Sequence, residues 1–334
     1  MKKIRTFALS LAAIYLFSFS TYATNYSPDI LPQEAKYRVN SLLQAHDSTS
    51  SIEASVPLYD NQDDIVAWGI HLNPTGYIII DANNSFIIEY SLQNTAPFSG
   101  LDKIYYAGPL QYYKKKQSEF VSVRSNESYN YEELSDDFDK FRSTLCSDFH
   151  QEFSQNRQAR ILTTHTIPGE LRKYSYNPNG ICGSTAAAIF LMYYRDYPDS
   201  WMVPSWHDTE DGISLIKLLE PNIDGSVPGS TTEDMVYGLN WYFRWRGISS
   251  SYQALVTHSA PFSSYRPIID SDRPVIVDLN AHPTYGEHWV VGYGYTIEPH
   301  LGNTYYYIVA NDGWGSNGVE ISMKFVGDIV YLNK

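Results

Sequence analysis

Cys182 sits in the run Asn179-Gly180-Ile181-Cys182-Gly183-Ser184-Thr185-Ala186-Ala187-Ala188, where a Gly/Pro/Asn-rich loop turns into an apolar, Ala-rich segment. A thiol at the start of a helix faces unpaired backbone N–H groups and the positive end of the helix dipole. Both favour the thiolate, the nucleophilic form. Far downstream, His288 opens one apolar strand and Asn311 closes another. A cysteine followed by a histidine and then by an Asn or Asp is the set a thiol-dependent acyl transfer needs.

The relation of the last two residues follows from strand geometry. The segments His288–Tyr295 and Tyr305–Ala310 read as strands joined by the Pro/Gly/Asn-bearing connection Thr296–Thr304. A hairpin centred between Pro299 and His300 sets His288 directly opposite Asn311. Their Cβ atoms would then be about 4.5–5.5 Å apart on one face. The Asn311 amide oxygen would fix the imidazole tautomer, with Trp314 covering the pair and Asp312 turned to the other face, unless a bulge in the Asp312-Gly313-Trp314-Gly315 run reverses this. His288 would stabilise the thiolate and protonate the leaving amine. The backbone N–H of Cys182, joined by one side-chain amide, would receive the developing oxyanion.

These residues need a helix and a sheet to hold them. Cys182–Asp196 is apolar nearly all round and stops at Tyr197-Pro198, as a buried central helix would. Ile213–Leu219 and Glu233–Trp245 are two further helices. Val275–Leu279, Val319–Met323 and Ile329–Leu332 complete a strand-rich C-terminal region. Upstream, Ile30–Ala45 has helical spacing. Val56–Tyr59, Ile65–Leu72, Tyr77–Ile80 and Phe86–Tyr90 alternate as an antiparallel meander. Pro109 suits the first position of a helix over Pro109–Val121, followed by a polar stretch from Arg124 to Asp139. The domain boundary is placed in the charged segment Phe141–Arg160. Helices first and a twisted antiparallel sheet second make an α+β domain.

Residues 1–23 read as a signal peptide, with Lys2, Lys3 and Arg5 ahead of apolar Phe7–Phe19 and a cleavage site at Thr21-Tyr22-Ala23. No later segment could span a bilayer, so a secreted, extracellular protein of bacterial export type is expected. The net charge is −13, and removal of the three leader cations makes it more negative. With no strong basic cluster, neither nucleic acid nor an anionic membrane is an expected partner. Cys146 and Cys182 are the only cysteines. A disulfide between them is the plain alternative to a reactive thiol in an exported chain. His207, His258, His282 and His300 lack metal-ligand spacing. Asp208-Thr209-Glu210-Asp211-Gly212 lacks the later bidentate Glu of a calcium loop. No metal or cofactor is expected.

The C-terminal half resembles the papain-fold cysteine peptidases, and most closely the streptopain-like group. The matching stretches are Gly180–Ala188, Arg273-Pro274-Val275-Ile276, Glu287-His288-Trp289-Val290-Val291-Gly292 and Asn311-Asp312-Gly313-Trp314-Gly315. Gly76–Ala82 and Ile87–Ser91 are similar, more loosely, to that group's pro-region. The resemblance implies a secreted cysteine endopeptidase made as a zymogen and acting on protein or peptide substrates. Residues 24–150 would be an inhibitory α+β pro-domain, and 151–334 a papain-like catalytic domain with its central helix packed on a twisted antiparallel sheet. Cys182, His288 and Asn311 would be catalytic. Release would follow cleavage between Phe141 and Pro168, where Arg157 and Arg160 invite trypsin-like enzymes. The group's usual Gln, six residues before the nucleophile, is replaced by Tyr176. The oxyanion amide is therefore assigned to Asn177, ahead of Asn179 on loop position. Two alternatives use the same residues: a catalytically impaired papain-fold binding or adhesion protein, and a Cys–His hydrolase of cell-wall peptide.

Overall fold

A computed structural model describes residues 30–147, 161–178, 180–225, 229–279 and 288–333. The expected signal peptide, Arg157, Arg160, Asn179, His282 and Glu287 lie outside them. The described residues form an α+β structure of six helices and one mixed sheet.

The N-terminal half begins with helix α1 (Gln33–Ala45). Its Ala35, Val39, Leu42 and Leu43 pack on the meander β1 (Ser51–Tyr59), β2 (Ile65–Asn73), β3 (Tyr77–Asp81) and β4 (Ile87–Ser91). All three meander pairings are antiparallel, as the alternating pattern predicts. The expected helix over Pro109–Val121 is absent. Strands β5 (Ile104–Gly108), β6 (Gln111–Lys116) and β7 (Glu119–Ser122) form two successive hairpins there. Pro109 begins a tight turn whose next residue, Leu110, has φ +67°, so the proline opens a turn and not a helix. The short strand β8 (Ser128–Tyr129) leads into α2 (Tyr131–Cys146), where a polar connection was expected. Asn130 and Glu133 close a reciprocal capping box at its start, and Leu134, Phe138, Phe141 and Leu145 are its buried stripe.

In the C-terminal half, β9 (Thr163–Thr166) precedes α3 (Cys182–Asp196), which has the expected bounds. Next come α4 (Ile213–Ile223), α5 (Thr232–Arg246), β10 (Gln253–Thr257), α6 (Phe262–Ile269), β11 (Val275–Leu279), β12 (His288–His300), β13 (Asn303–Asn311), β14 (Val319–Ser322) and β15 (Val326–Asn333). Helix α3 is buried from Cys182 through Tyr194, between β11 and β12 on one side and α4 on the other. Its small residues permit that closeness: a Cβ on Gly183 would fall 2.2 Å from Ser230 Oγ and 2.8 Å from Asp224 Oδ1.

The sheet runs without a break from one half to the other. Its order is β10-β15-β11-β12-β13-β14-β4-β3-β2-β1-β5-β6-β7-β8, with β9 beside β12. The crossing is β14 on β4, antiparallel, with Glu320 opposite Tyr90 and Ile321 opposite Glu89. Polar contacts reinforce this seam. The Tyr90 hydroxyl donates to Glu320 Oε2 at 2.5 Å, Ser91 Oγ to the Gly318 carbonyl at 2.9 Å, and Asn94 Nδ2 to the Asn317 carbonyl at 2.8 Å. Arg38 reaches Glu298 with two buried hydrogen bonds of 2.5 and 2.6 Å. No helix among the described residues is long and apolar enough to cross a membrane.

One register differs from expectation. The β12–β13 hairpin turns at Leu301-Gly302, not between Pro299 and His300: Pro299 pairs with Thr304, and His300 with Asn303. Leu301 and Gly302 have φ +48° and +85°, the two positive values a tight two-residue hairpin turn requires. After an irregularity between Gly292 and Gly294, Asn311 lies opposite Val291 and not opposite His288.

Candidate active site

Cys182 is the first residue of α3. Ile181, ahead of it, supplies no side-chain cap. The capping oxygen comes instead from Asp224, at the end of α4, whose Oδ2 accepts from the backbone N–H of Ser184 at 2.9 Å and from its hydroxyl. Burial pushes the Asp224 carboxyl up to about 6. This carboxylate gives no local sequence signal, because it lies on another element.

The Cys182 thiol is buried and lies 4.0 Å from the Gly180 carbonyl. It is not in a disulfide with Cys146, which is exposed. The helix end was expected to lower its pKa, yet in this state burial pushes the thiol up to about 12. The negative charge of Asp224 adds to that, and backbone N–H groups of Trp289 and Gly183 oppose it. Desolvation thus outweighs the helix end. The Trp289 contact places the thiol at the start of β12, the strand that His288 opens.

His288 Nε2 is 2.9 Å from the backbone carbonyl of Asp312. A carbonyl only accepts, so Nε2 carries the proton and Nδ1 is left as the ring's acceptor. Burial pushes the imidazole down to about 4, with the Asp312 carbonyl opposing and the charge of Arg124 assisting. Trp314 lies alongside the ring, centroids 6.2 Å apart and planes 19° from parallel.

Asn311 is not brought against His288. Its fully buried amide donates to the Arg172 carbonyl at 3.2 Å and to Asn317 Oδ1 at 2.6 Å, and accepts from the Gly313 N–H at 3.0 Å. The hairpin turn explains this: with Leu301-Gly302 at its centre, Asn311 is carried along the strand, and Asp312 presents its carbonyl to the imidazole. The Asp312 side chain also shapes the loop. Its Oδ1 accepts from Trp314 N at 2.8 Å and Ser316 N at 2.9 Å.

Asn177 is buried, and neither end of its amide has a hydrogen-bond partner among the described residues. Its loop is tied to α3 by Thr185 Oγ1, which donates to the Tyr176 carbonyl at 2.8 Å. Tyr176 itself turns toward Lys217, whose ammonium lies 5.7 Å from the ring centre. Asn177, Cys182, His288 and Trp314 line one cleft of about 510 Å³. A buried amide without partners among the described residues thus shares the cleft lining with the thiol and the imidazole.

The opposite wall of this cleft belongs to the N-terminal half: Arg124, Glu127 and Tyr129, with Glu133 and Asp137 of α2. Sequence reading assigned none of these to the site. The capping box at Asn130 and the apolar spacing Leu134–Phe138–Phe141–Leu145 are the signals that locate α2. Among the described residues, no group of three His, Cys, Asp or Glu side chains is placed to hold a metal ion.

None of the curated proteins matches the chain. Residues 154–331, more than half of its length, match the Peptidase_C39-like family. With its buried cysteine and half-buried histidine on one cleft, the chain belongs to the Peptidase_C39-like family of cysteine peptidases.

Proposed function

We propose that the chain is a secreted cysteine endopeptidase of the streptopain-like group, made as a zymogen. In this reading residues 1–23 are its signal peptide, 24–150 its inhibitory pro-domain and 151–334 a papain-like catalytic domain. One observation carries it: the cleft holding Cys182, His288 and Asn177 is walled on its far side by the N-terminal half.

The chemistry follows from the groups present. With the cleft uncovered, desolvation of both titrating groups falls, and proton transfer from Cys182 to Nδ1 of His288 gives a thiolate and an imidazolium. The thiolate attacks the substrate carbonyl, and the oxyanion is received by the Cys182 backbone N–H and the Asn177 amide. The imidazolium protonates the leaving amine, and a water activated by the same ring releases the acyl group. Asn311 acts on His288 through the loop it fastens, not by contact. Trp314 shields the face of the imidazole.

The Tyr176 replacement supports a second reading, a catalytically impaired binding protein, since one oxyanion donor is worth roughly 10²–10³-fold in turnover. Intact-mass analysis of secreted full-length and Cys182→Ala chains, with and without a thiol-reactive peptide probe, separates the two. A peptidase shows one probe adduct after shortening of the chain, and none in Cys182→Ala. A shortened chain that takes no adduct and cleaves no casein overturns the peptidase reading.

A further inference from the structure

The charge around His288 is set from across the seam. Arg124 follows the β6–β7 hairpin, and its Nη1 donates to Asp312 Oδ2 at 2.6 Å, with that carboxylate side chain 1% exposed and the arginine side chain 13% exposed. The guanidinium lies 5.8 Å from the centre of the Tyr112 ring, and its Nε is buried without a hydrogen-bond partner among the described residues. Asp312 is the residue whose carbonyl holds the His288 proton. The cation, the carboxylate and the imidazole are therefore adjacent, and the cation belongs to the other half of the chain.

Resting on the peptidase reading above, we infer that Arg124 is an electrostatic lock. Its guanidinium neutralises the Asp312 carboxylate and presents a positive charge to His288, so the imidazole stays uncharged and Cys182 stays a thiol while the N-terminal half is seated. Covering a cleft needs only bulk. A buried cation beside a histidine that must become cationic does more, because like charges in a desolvated site oppose each other strongly. The groups facing this centre agree with that role. Glu89 and Tyr77 act on Arg124 from the meander, as Tyr112 does from β6. Asp224, Asp278 and Tyr129 interact with Cys182. Arg124 is the cation that acts on His288, and Asp312 the anion. Departure of the N-terminal half removes the cation and leaves the anion, which reverses the sign of the field at the ring.

The test follows alkylation of Cys182 by iodoacetamide from about pH 5 to about pH 9 in the full-length chain, with Cys146→Ser to silence the exposed thiol. The parent should react slowly. Arg124→Gln should react about tenfold faster near neutral pH, the change expected for one pKa unit, and its reactive form should appear at lower pH. Arg124→Lys should stay slow. Adding Asp312→Asn to Arg124→Gln should restore slow reaction, because the supporting anion is gone. A double variant as fast as Arg124→Gln would mean the cleft had merely opened, and would overturn the lock. So would an Arg124→Gln chain as slow as the parent. Should the glutamine variant not fold, the His288 ring titration, followed by NMR and assigned with His288→Gln, is compared between the parent and Asp312→Asn: a lower midpoint in the variant, where the Arg124 charge acts uncompensated, is expected, and an unchanged one overturns the lock. A parent that alkylates as fast as free cysteine sinks the inhibited-peptidase reading itself, whereas a slow parent with an unresponsive Arg124 removes the lock alone.

Discussion

The two walls of the cleft are built in different ways. The wall carrying Cys182 and His288 is held by backbone: a helix start, the first residue of a strand, and a loop whose carbonyl fixes the imidazole proton. The facing wall carries a charged set, Arg124, Glu127, Glu133 and Asp137, on a loop and a helix of the N-terminal half. A wall fixed by backbone keeps its geometry after many side-chain changes and loses chemistry when a reacting atom is removed. A wall of charged side chains can be released. Changes on the first wall should therefore remove activity, and changes on the second should liberate it.

The largest effects belong to the first wall. Cys182→Ala and His288→Ala should each lower turnover by at least about 10⁴-fold, because residues acting as one unit fail together. Circular dichroism and the thermal midpoint should stay close to the parent, and turnover surviving in a folded Cys182→Ala chain would remove the central claim. Asn177→Ala should cost roughly 10²–10³-fold in kcat, with KM little changed, as for the loss of one oxyanion donor. An equal loss in KM with kcat intact would make Asn177 a substrate contact instead.

In the N-terminal half, two arginines cross the seam with different tasks. Arg38 meets Glu298 through two buried hydrogen bonds away from the cleft, and Arg124 meets Asp312 at it. Arg38→Ala leaves Glu298 buried and uncompensated, a change that typically costs about 3–5 kcal/mol. Urea should release the seam at lower concentration, with the pH profile of Cys182 alkylation unchanged below that point. If Arg38→Ala shifted the profile as Arg124→Gln is expected to, the two ion pairs would not differ in kind.

How far the sequence disclosed each wall follows from the range of the forces involved. Helix α3 was legible because its apolar run and the Tyr197-Pro198 stop are local, and the meander because its alternation is local. A hairpin centred at Pro299 misplaces the register, because Leu301-Gly302 supplies the positive φ values of the turn. That shift moved the contact with His288 from the Asn311 side chain to the Asp312 carbonyl. In the N-terminal half, Pro109 was read as a helix start because both roles use the same fixed φ. Helix α2 was missed although Asn130, Glu133 and the Leu134–Phe138–Phe141–Leu145 spacing spell it. Arg124 and Asp224 had no local sign at all. Arg124 meets its partner 188 residues away, and Asp224 caps a helix from the end of another.

A smaller effect tests the indirect role of Asn311. Its amide fastens Arg172, Gly313 and Asn317 around the loop that aims the Asp312 carbonyl. Asn311→Ala should lower kcat roughly tenfold, less than loss of the base itself, because the loop loosens but the carbonyl remains. Asn311→Asp should not restore the rate, since two of the three hydrogen bonds need the amide as donor. Full activity in Asn311→Asp would point to a direct acceptor role toward the imidazole in the working enzyme.

The smallest effect concerns pH and the seam as a whole. Burial pushes Glu320 up to about 7, and Tyr90, whose hydroxyl donates to it, comes from the N-terminal half. Glu89, on the strand that meets β14, is pushed up to about 7 by the same cause. A carboxyl whose pKa is raised in the folded state favours that state while protonated. Its contribution is complete below the ordinary carboxylate range and is lost as pH rises through about 7. His288 runs the other way: it is held down to about 4, so its contribution is present above the ordinary histidine value and is lost as pH falls toward about 4. The two carboxyls sit at the seam, whereas His288 sits in the cleft, so the seam should loosen on the alkaline side. Hydrogen exchange of the β4 amides Ile87–Ser91, corrected for intrinsic rate, should be a few-fold faster at about pH 8 than at about pH 5.5. Glu320→Gln should weaken that dependence to the part due to Glu89, because the amide keeps a neutral partner for Tyr90 at every pH. A β4 equally protected at both pH values in the parent would mean that the carboxyls stay protonated or find cations on the alkaline side, and that release of the N-terminal half depends on chain cleavage without help from pH.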